Sequence, residues 1–468
     1  MPTAGAIEKA KIELSRRLGD SKVSDAPETC LAYARDESEA IGRSPDVVVF
    51  ATSREDIQAV LEIADRCDVP VTPRAGGTGR TGGAVPVAGG ILLATHPLAR
   101  VKEIRRDDLV AIVEPGVITG DLHAAAEKEG LFYPPDPNSW ASCMIGGNVA
   151  ENAGGPRAFK YGVTREYVLG LEACLMGGRV VRVGKETVKG VTGYDVTALF
   201  VGSEGTLGVF SEVTLRLVPK PTEIVTVLAL FDDVHRAGNA VGTLLRNGLI
   251  PRCLEILDRA TLDAVRANKV SVDPRAGAML LIESDGDAAA VESATERLGE
   301  LLSGEEGLVD LVVAQDAAQR ERLWGARRAL SGAVRKLAKY KLSEDVVVPR
   351  SRIGELLTRV DHIGEKTGVR HLTYGHAGDG NLHVNFLWND EGERPAVDVA
   401  IYELMVATIA LGGTLSGEHG IGVTKASYLH LEQSADLIAL QRDLKRVFDP
   451  KELLNPGKIF PTPGHRAC

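Results

Sequence analysis

Short apolar runs and one helical period alternate along the first part of the chain. Residues 47–50 are three valines and a phenylalanine, a run that is typical of a buried strand. Thr52 or Ser53 then provides a side-chain oxygen that can cap a helix. Apolar side chains recur on one face of that helix, at Ile57, Val60, Leu61 and Ala64. Residues 69–71 predict a second strand, which leads directly into a glycine-rich loop over residues 73–83.

The same pattern continues up to a boundary that is marked by prolines. Further strands are predicted over residues 91–93, 110–114, 180–183 and 213–218. A helix is predicted over residues 121–129. Two more glycine-rich regions cover residues 146–155 and 190–208. Because Pro219 and Pro221 interrupt the pattern, we expect a domain boundary near residue 222.

The second half of the chain predicts an α+β domain with an antiparallel sheet. Strands are predicted there over residues 224–230 and 279–283, and longer, charged helices over residues 287–302 and 316–337. A final segment contains a glycine-flanked Glu418–His419 pair and a helix over residues 436–448. The predicted divisions of the chain are residues 1–222, 223–415 and 416–468.

The composition is that of a globular protein with an acidic balance. The chain has 468 residues, and its 54 basic against 64 acidic residues give a net charge of −10, which disfavours nucleic acid and anionic membranes as partners. None of the six cysteines forms a C-x-x-C pair, which disfavours an iron–sulfur or metal–thiolate site. The sequence has neither a run of roughly 18 apolar residues nor an N-terminal secretory pattern, so we expect a cytoplasmic protein without a transmembrane segment.

The glycine-rich loop matches the spacing of a dinucleotide fingerprint, with Gly77, Gly79 and Gly82 in the three glycine positions. That fingerprint requires a helix that opens inside it. Residues 83–90 contain a proline and three glycines and cannot form a first helical turn, so a Rossmann site is disfavoured. Two interpretations stay open: an anion cradle for a pyrophosphate, to which Arg74 adds charge, and an ordinary glycine-rich turn.

Two histidines bracket a glycine-rich tetrapeptide in the second half. His376 and His383 flank residues 378–381, whose composition favours a tight turn between short strands. Together with Glu418 they would suit zinc, manganese, iron or cobalt. The alternative is a pair of turn histidines with satisfied hydrogen bonds and a glutamate in a salt bridge.

The ordered strings along the chain resemble those of a known family. They cover residues 73–83, 134–139, 145–155, 161–166, 189–195 and 201–208. In this order they resemble the FAD-binding domain of flavoproteins of the vanillyl-alcohol-oxidase and p-cresol-methylhydroxylase type. The C-terminal strings resemble one branch, which contains glycolate oxidase FAD subunits, D-lactate dehydrogenases and D-2-hydroxyglutarate dehydrogenases. The resemblance spans residues 30–460 and implies a two-subdomain FAD-binding domain, an α+β cap domain and a C-terminal segment that returns to the FAD domain.

The resemblance also implies a set of FAD contacts, most of them in the glycine-rich strings. The implied contacts are Arg74, Gly76, Gly77, Thr78, Gly79, Gly82, Pro135, Ser139, Gly146, Asn148, Asn152, Gly154, Val209 and Asn455. Some relatives carry a histidine in the first loop that bonds covalently to the flavin. This loop has Thr78 and no histidine, so we expect FAD to be bound non-covalently.

For the reaction centre, the resemblance implies a metal held by His376, His383 and Glu418, with zinc or manganese favoured. It implies that His419 is the general base, although a second metal ligand or a core histidine is the alternative for that residue. The implied substrate contacts are Arg327, Ser331, Lys341 and Asn385. An arginine fork matches a carboxylate, but a solvated helix face is the alternative for Arg327.

These implications predict a FAD- and metal-dependent dehydrogenase of D-2-hydroxy acids. D-lactate is the favoured substrate. D-2-hydroxyglutarate is second, with Lys341 on its distal carboxylate, and glycolate is third. Electrons would pass to an acceptor protein or a quinone, and a homodimer and a peripheral place at the inner membrane through a partner are further expectations. A non-catalytic flavoprotein subunit and a non-redox alkyl-transferase are the alternatives from other functional classes.

Overall fold

A computed structural model describes residues 2–40, 42–268 and 271–461 of the chain. The side chains at positions 326, 328, 329 and 331 lie outside this description. Among the described helices, none has the length and apolar character needed to cross a membrane.

The helices of the described residues begin and end at defined positions. In chain order they are α1 (Ala4–Leu18), α2 (Pro27–Ala32), α3 (Arg54–Cys67), α4 (Thr119–Lys128), α5 (Ile145–Glu151), α6 (Ala158–Tyr161), α7 (Val196–Phe200), α8 (Val234–Arg246), α9 (Arg259–Ala267), α10 (Ala288–Ser303), α11 (Ala317–Arg335), α12 (Ile353–Thr367), α13 (Arg394–Ala410), α14 (Leu429–Glu432) and α15 (Ala435–Phe448).

The strands of the described residues form four sheets. In chain order they are β1 (Val23–Ser24), β2 (Val47–Phe50), β3 (Val71–Arg74), β4 (Ile91–Ala94), β5 (Val101–Arg105), β6 (Val110–Val113), β7 (Leu131–Phe132), β8 (Val168–Cys174), β9 (Val180–Gly184), β10 (Val209–Arg216), β11 (Val218–Pro219), β12 (Glu223–Phe231), β13 (Cys253–Leu257), β14 (Ala278–Gly286), β15 (Leu308–Val313), β16 (Tyr340–Val347), β17 (Arg370–His376) and β18 (Asn381–Trp388).

The chain divides into two compact units. The first unit, which we call the flavin unit, contains residues 1–154, 163–220 and 418–468. The second, which we call the cap unit, contains residues 155–162 and 221–417. Each unit takes up at least two separate stretches of the sequence.

The flavin unit contains a four-stranded sheet in the order β1-β2-β4-β3 and a five-stranded antiparallel sheet in the order β5-β6-β10-β8-β9. Helix α3 packs on the first sheet through its apolar stripe. Ile57 and Leu61 of this stripe are fully buried there. Ser53 caps this helix by accepting a hydrogen bond from the Asp56 N–H, as expected from the sequence. Strand β3 pairs with β4 in the same sheet, and the glycine-rich loop follows directly after β3.

The cap unit contains a seven-stranded antiparallel sheet in the order β15-β12-β14-β13-β17-β18-β16. One core lies between this sheet and α9 and α11, where Leu262, Leu330 and Val334 are buried against Met279 and Tyr374. The expected α+β class with an antiparallel cap sheet is confirmed. Strands β17 and β18 form the expected hairpin in the middle of the second half of the chain.

The second glycine-rich region contains a helix that the sequence pattern did not predict. Residues 146–151 of this region lie in helix α5. Gly146 is required there by packing, because a Cβ at this position would lie 2.5 Å from the Pro115 side chain. The two glycines lower the intrinsic helix propensity of α5, and at Gly146 this cost accompanies the close approach to Pro115.

Candidate flavin loop and histidine site

The glycine-rich loop follows β3 directly and has a backbone that only glycine adopts easily. Gly77 and Gly82 have φ angles of +66° and +84°. A Cβ at Gly77 would lie 2.1 Å from the Arg74 guanidinium, so the loop passes too close for a side chain. Residues 75–90 contain no helix, and the sequence-based argument against a Rossmann site is therefore confirmed.

Arg74 is held at the start of this loop by contacts within the flavin unit. Its Nη1 donates to the Arg35 carbonyl at 2.6 Å, and its guanidinium lies 5.5 Å from the centre of the Tyr33 ring. Burial lowers the pKa of Arg74, and the nearby Asp36 carboxylate opposes that shift. The result is a fixed cation beside the glycines that the sequence predicts to hold a pyrophosphate.

The C-terminal segment returns to the same loop. Asn455 has a positive φ of 45°, and its Nδ2 donates to the carbonyls of Gly83 at 2.9 Å and Glu204 at 2.7 Å. Its backbone N–H donates to the carbonyl of Val71 in β3 at 2.7 Å. Asn455 therefore fixes both ends of the loop, which gives this predicted FAD contact a structural role as well.

The predicted contacts on and after α5 are also positioned by hydrogen bonds. The Asn148 Nδ2 donates to Thr119 Oγ1 at 2.7 Å, and both side chains are buried. Asn152 ends α5 in the left-handed conformation, and its Oδ1 accepts from the Arg165 N–H at 2.8 Å. A Cβ at Gly154 would lie 2.8 Å from Glu418 Oε2, so a larger residue would collide with that carboxylate.

The remaining predicted flavin contacts are distributed over other parts of the flavin unit. The Pro135 carbonyl lies 2.9 Å from His123 Nε2, and the Ser139 carbonyl accepts from the Cys143 N–H at 2.8 Å. Val209 begins β10, and its side chain belongs to the core of the unit. Only the backbone of Val209 is therefore available for a cofactor.

The two predicted metal-binding histidines are brought together by the β17–β18 hairpin in the cap unit. His376 is the last residue of β17 and lies opposite Asn381, and His383 lies opposite Tyr374. The two imidazole centroids are 5.3 Å apart with their planes at 86°, and both rings are buried. The expected tight turn between strands is confirmed.

Glu255 connects this hairpin to Arg327. It lies directly opposite His376 on the neighbouring strand β13 and is fully buried. One carboxylate oxygen is hydrogen bonded to His376 Nδ1, and the other accepts from Arg327 Nε at 2.6 Å. Burial raises the pKa of Glu255, but the charges and hydrogen bonds of His376 and Arg327 outweigh it and lower the pKa below its ordinary value.

Glu255 did not emerge from the sequence motifs. The available signal was its position as a single acidic residue at the centre of a five-residue strand that is buried throughout. A buried carboxylate requires a partner, so such a position indicates a polar site. The identity of the partners depends on the sheet order, which the sequence pattern does not contain.

Asp345 has a similar position on the other side of the hairpin. It is fully buried, and it accepts hydrogen bonds from Asn381 Nδ2 at 2.6 Å, from Ser416 Oγ at 2.9 Å and from the Gly417 N–H at 2.9 Å. Its carboxylate lies 4.0 Å from His383 Nδ1. Asp345 thus anchors the residue that directly precedes Glu418 in the chain, and it also was not identified from the sequence.

Glu418 and His419 lie in an irregular loop whose backbone is fixed within the flavin unit. The His419 carbonyl accepts from Thr81 Oγ1 at 3.0 Å. The N–H groups of Ile421 and Gly422 donate to the two oxygens of Glu204 at 2.7 and 2.6 Å. His419 Nε2 lies 3.9 Å from Glu418 Oε1.

The four predicted substrate residues have different surroundings. Arg327 is buried on α11 and lies 5.1 Å from the centre of the Tyr374 ring, so a solvated helix face does not describe it. Asn385 is buried on β18 and donates to the His383 carbonyl at 2.9 Å. Lys341 lies on β16 opposite Leu387 and is half-buried. The side chain of Ser331 lies outside the described residues.

Comparisons with known proteins cover nearly the whole chain. Residues 45–184 match the family described as FAD binding domain, and residues 220–459 match FAD linked oxidases, C-terminal domain. The chain is 40% identical to glycolate oxidase subunit GlcD of Bacillus subtilis (strain 168), over 96% of each chain. It is 34% identical to D-lactate dehydrogenase of Anaerostipes hadrus, again over 96% of each.

A solved structure supports the fold. Crystalline p-cresol methylhydroxylase with bound substrate has a TM-score of 0.82, with 17% identity over 99% of each chain. At this identity the likeness shows the fold alone, which is the vanillyl-alcohol-oxidase type that the sequence predicted. The two family matches and the full-length relatives show that the chain belongs to the family of FAD-linked oxidases.

Proposed function

We propose that this chain is a FAD- and divalent-metal-dependent dehydrogenase that oxidises a D-2-hydroxy acid to the 2-oxo acid, with D-lactate as the favoured substrate. The observation that carries the proposal is the Arg327–Glu255–His376 chain of hydrogen bonds. It joins a group suited to a substrate carboxylate with a group suited to a metal ion. The relatives that are named glycolate oxidase subunit and D-lactate dehydrogenase support hydroxy-acid chemistry.

The histidine hairpin fits a divalent cation. Two imidazoles lie close together at 86° in a buried setting, and a carboxylate supports the first of them. Glu418 is our candidate for the third ligand, since it follows the anchored residue Gly417. Two nitrogens and one carboxylate oxygen suit zinc or manganese and leave coordination positions for a substrate.

The glycine-rich loop fits the pyrophosphate of FAD. Left-handed glycines let the backbone N–H groups converge on an anion, and Arg74 adds a positive charge. No histidine lies in residues 73–83, so we propose dissociable FAD. When bound, FAD supplies the hydride acceptor and the cation supplies a Lewis acid.

In this proposal the chain's own residues bind the substrate and move one proton. Arg327 binds the substrate carboxylate, with its orientation fixed by Glu255. His419 accepts the proton of the 2-hydroxyl group, and its loop is fixed by Thr81 and Glu204. The substrate loses one proton and one hydride and becomes the 2-oxo acid. The two electrons then pass to an acceptor protein or a quinone.

Anaerobic reduction of the purified holoprotein tests this function. The visible FAD band is followed after addition of D-lactate, D-2-hydroxyglutarate, glycolate or L-lactate. We expect fast bleaching by D-lactate and slow or no bleaching by L-lactate. Failure of all these acids to reduce the flavin, with FAD and metal both present, would contradict the proposal.

D-2-hydroxyglutarate is the second candidate substrate, and Lys341 is the observation that favours it. Lys341 shares a face of β16 with Ser343 and Asp345, because these residues alternate along the strand. An ammonium group on that face suits a second carboxylate. Bleaching by D-2-hydroxyglutarate that is lost in Lys341→Met would select this candidate over D-lactate.

A further inference from the structure

We propose that Glu255 is a positioning residue that fixes His376 as the Nδ1–H tautomer, so that Nε2 is the ligand atom, and that it orients Arg327 with its second oxygen. The inference deepens the proposed function and rests on it. It assigns a role to a residue that belongs to none of the sequence motifs.

The tautomer follows from the chemistry of the two partners. Glu255 is a carboxylate, and a carboxylate oxygen only accepts hydrogen bonds. The hydrogen bond between Glu255 and His376 therefore places a proton on Nδ1 of the ring. In metalloproteins a ligating histidine commonly donates its other ring N–H to a carboxylate, which holds the ring in place and makes the ligand nitrogen more basic.

The position of Glu255 is fixed by the sheet. It lies opposite His376 in the β13–β17 pair, and β13 is held on its other edge by β14. Side chains that lie opposite each other in an antiparallel pair have their Cβ atoms about 5 Å apart on the same face. The contact is thus part of the strand register and does not depend on a mobile loop.

Arg327 compensates the negative charge of the buried Glu255 carboxylate. A fully buried charge is costly unless a charge of opposite sign accompanies it. Arg327 Nε supplies that charge at 2.6 Å from the second Glu255 oxygen. Arg327 therefore supplies Glu255 with a full positive charge that does not depend on the protonation state of His376.

A consequence is that one carboxylate supports both metal binding and substrate binding. Replacement of Glu255 by glutamine keeps the shape but removes the charge. We expect Glu255→Gln to weaken metal binding by about 10- to 100-fold, the usual effect of losing such a partner. We also expect a higher KM for the hydroxy acid, because Arg327 loses the group that orients it.

The matched control is Glu283→Gln on the neighbouring strand β14. Glu283 is also buried; it accepts hydrogen bonds from Trp324 Nε1 at 2.9 Å and Thr226 Oγ1 at 3.0 Å and lies 3.4 Å from Arg252 Nε, and none of these partners is a histidine. Affinities for Zn²⁺ and Mn²⁺ are measured by competition with a chromophoric chelator, on protein that retains its FAD. Glu283→Gln should bind both ions with the affinity of the wild type.

Three results decide whether Glu255 positions His376 as proposed. Weaker metal binding in Glu255→Gln, with partial recovery in Glu255→Asp, supports the inference, because a purely structural role would not follow the carboxylate charge. Wild-type affinity in a folded Glu255→Gln overturns the inference and leaves the proposed function intact. Absence of metal binding in the wild type overturns both. If Glu255→Gln does not fold, the ¹⁵N resonances of the His376 ring in the metal-free wild type decide: a proton on Nδ1 supports the inference, and a proton on Nε2 alone overturns it.

Discussion

His419 is the single side chain on which proton transfer depends in the proposed reaction. Its backbone carbonyl is held by Thr81, and the next residues are held by Glu204, so the loop backbone has hydrogen bonds that do not involve the imidazole. Replacement of the ring should remove the base and leave the loop in place. We expect His419→Asn to retain FAD and metal and to lower the rate of flavin reduction by roughly 10²- to 10⁴-fold, the usual contribution of a general base.

Stopped-flow reduction of the flavin by D-lactate measures this effect. His430→Asn is a suitable control, because His430 also belongs to the C-terminal segment and its Nδ1 lies 2.8 Å from the Ser427 carbonyl. The flavin of this control variant should be reduced by D-lactate at the wild-type rate. Normal reduction in His419→Asn would assign the proton transfer to another group.

At the scale of residues, the sequence identified groups that recur in motifs and missed groups whose role depends on tertiary pairing. His376, His383 and Glu418 were predicted as metal ligands from the histidine turn, the glycine-flanked Glu418 and the family resemblance, and this prediction stays open. Glu255 and Asp345 lie within β13 and β16, whose local pattern predicts burial but not the neighbouring strand. The order β13-β17-β18-β16 places both beside the histidines, and this order is set by long-range packing.

At the scale of elements, the sequence predicted those helices and strands whose ends are marked by turn or capping residues. The tetrapeptide at residues 378–381 predicted the hairpin, and the Thr52–Ser53 pair predicted the start of α3, where Ser53 is the cap. Helix α5 was not predicted, because its two glycines favour a loop and the close approach to Pro115 that requires Gly146 depends on tertiary packing. The expected strand at residues 213–218 was also shifted, since β10 begins at Val209 and ends at Arg216.

The contact between α9 and β17 predicts a dependence of stability on pH. Asp258 caps α9, where its Oδ1 accepts from the Thr261 N–H at 2.7 Å, and its Oδ2 accepts from the Thr373 N–H in β17 at 2.6 Å. Burial raises the pKa of Asp258 to about 6, although these hydrogen bonds oppose the shift. Because the folded pKa exceeds the ordinary value near 4, the folded state binds a proton more readily, and its stability from this group rises as the pH falls from 7 through 6.

Replacement of Asp258 by asparagine removes this titration. Relative to Asp258→Asn, the wild type should gain about 1 kcal/mol of unfolding free energy between pH 7 and pH 5. Urea unfolding of both proteins at the two pH values measures the difference. The exposed Asp263→Asn on the same helix serves as the control and should follow the wild type. A difference between wild type and Asp258→Asn that does not change with pH would show that Asp258 titrates normally.

At the scale of the whole molecule, the two kinds of chemistry are distributed over the two units. The glycine-rich loop, Arg74 and Asn455 are tied together within the flavin unit. The histidine hairpin, Glu255 and Arg327 are tied together within the cap unit. The hydrogen bonds of Arg74 and Asn455 that hold the glycine-rich loop involve neither His376 nor His383, so we do not expect the loop to require an ion at the histidines.

This division predicts that removal of the metal leaves the flavin bound. After treatment with a chelator and desalting, the flavin-to-protein ratio should be unchanged, since none of the proposed metal ligands belongs to the loop at residues 73–83. The rate of flavin reduction by D-lactate should fall by at least about 100-fold, because a Lewis acid contributes several kcal/mol to the barrier, and it should return with added Zn²⁺ or Mn²⁺.

His383→Asn provides the matched variant for this treatment. It retains the hairpin strand but lacks one proposed ligand, so its reduction should already be slow and should not respond to the chelator. Full reduction in the chelated wild type would remove the metal from the proposed function and leave a flavin-only dehydrogenase. Loss of FAD together with the metal would contradict this expectation, because the hydrogen bonds of Arg74 and Asn455 that hold the glycine-rich loop involve neither histidine.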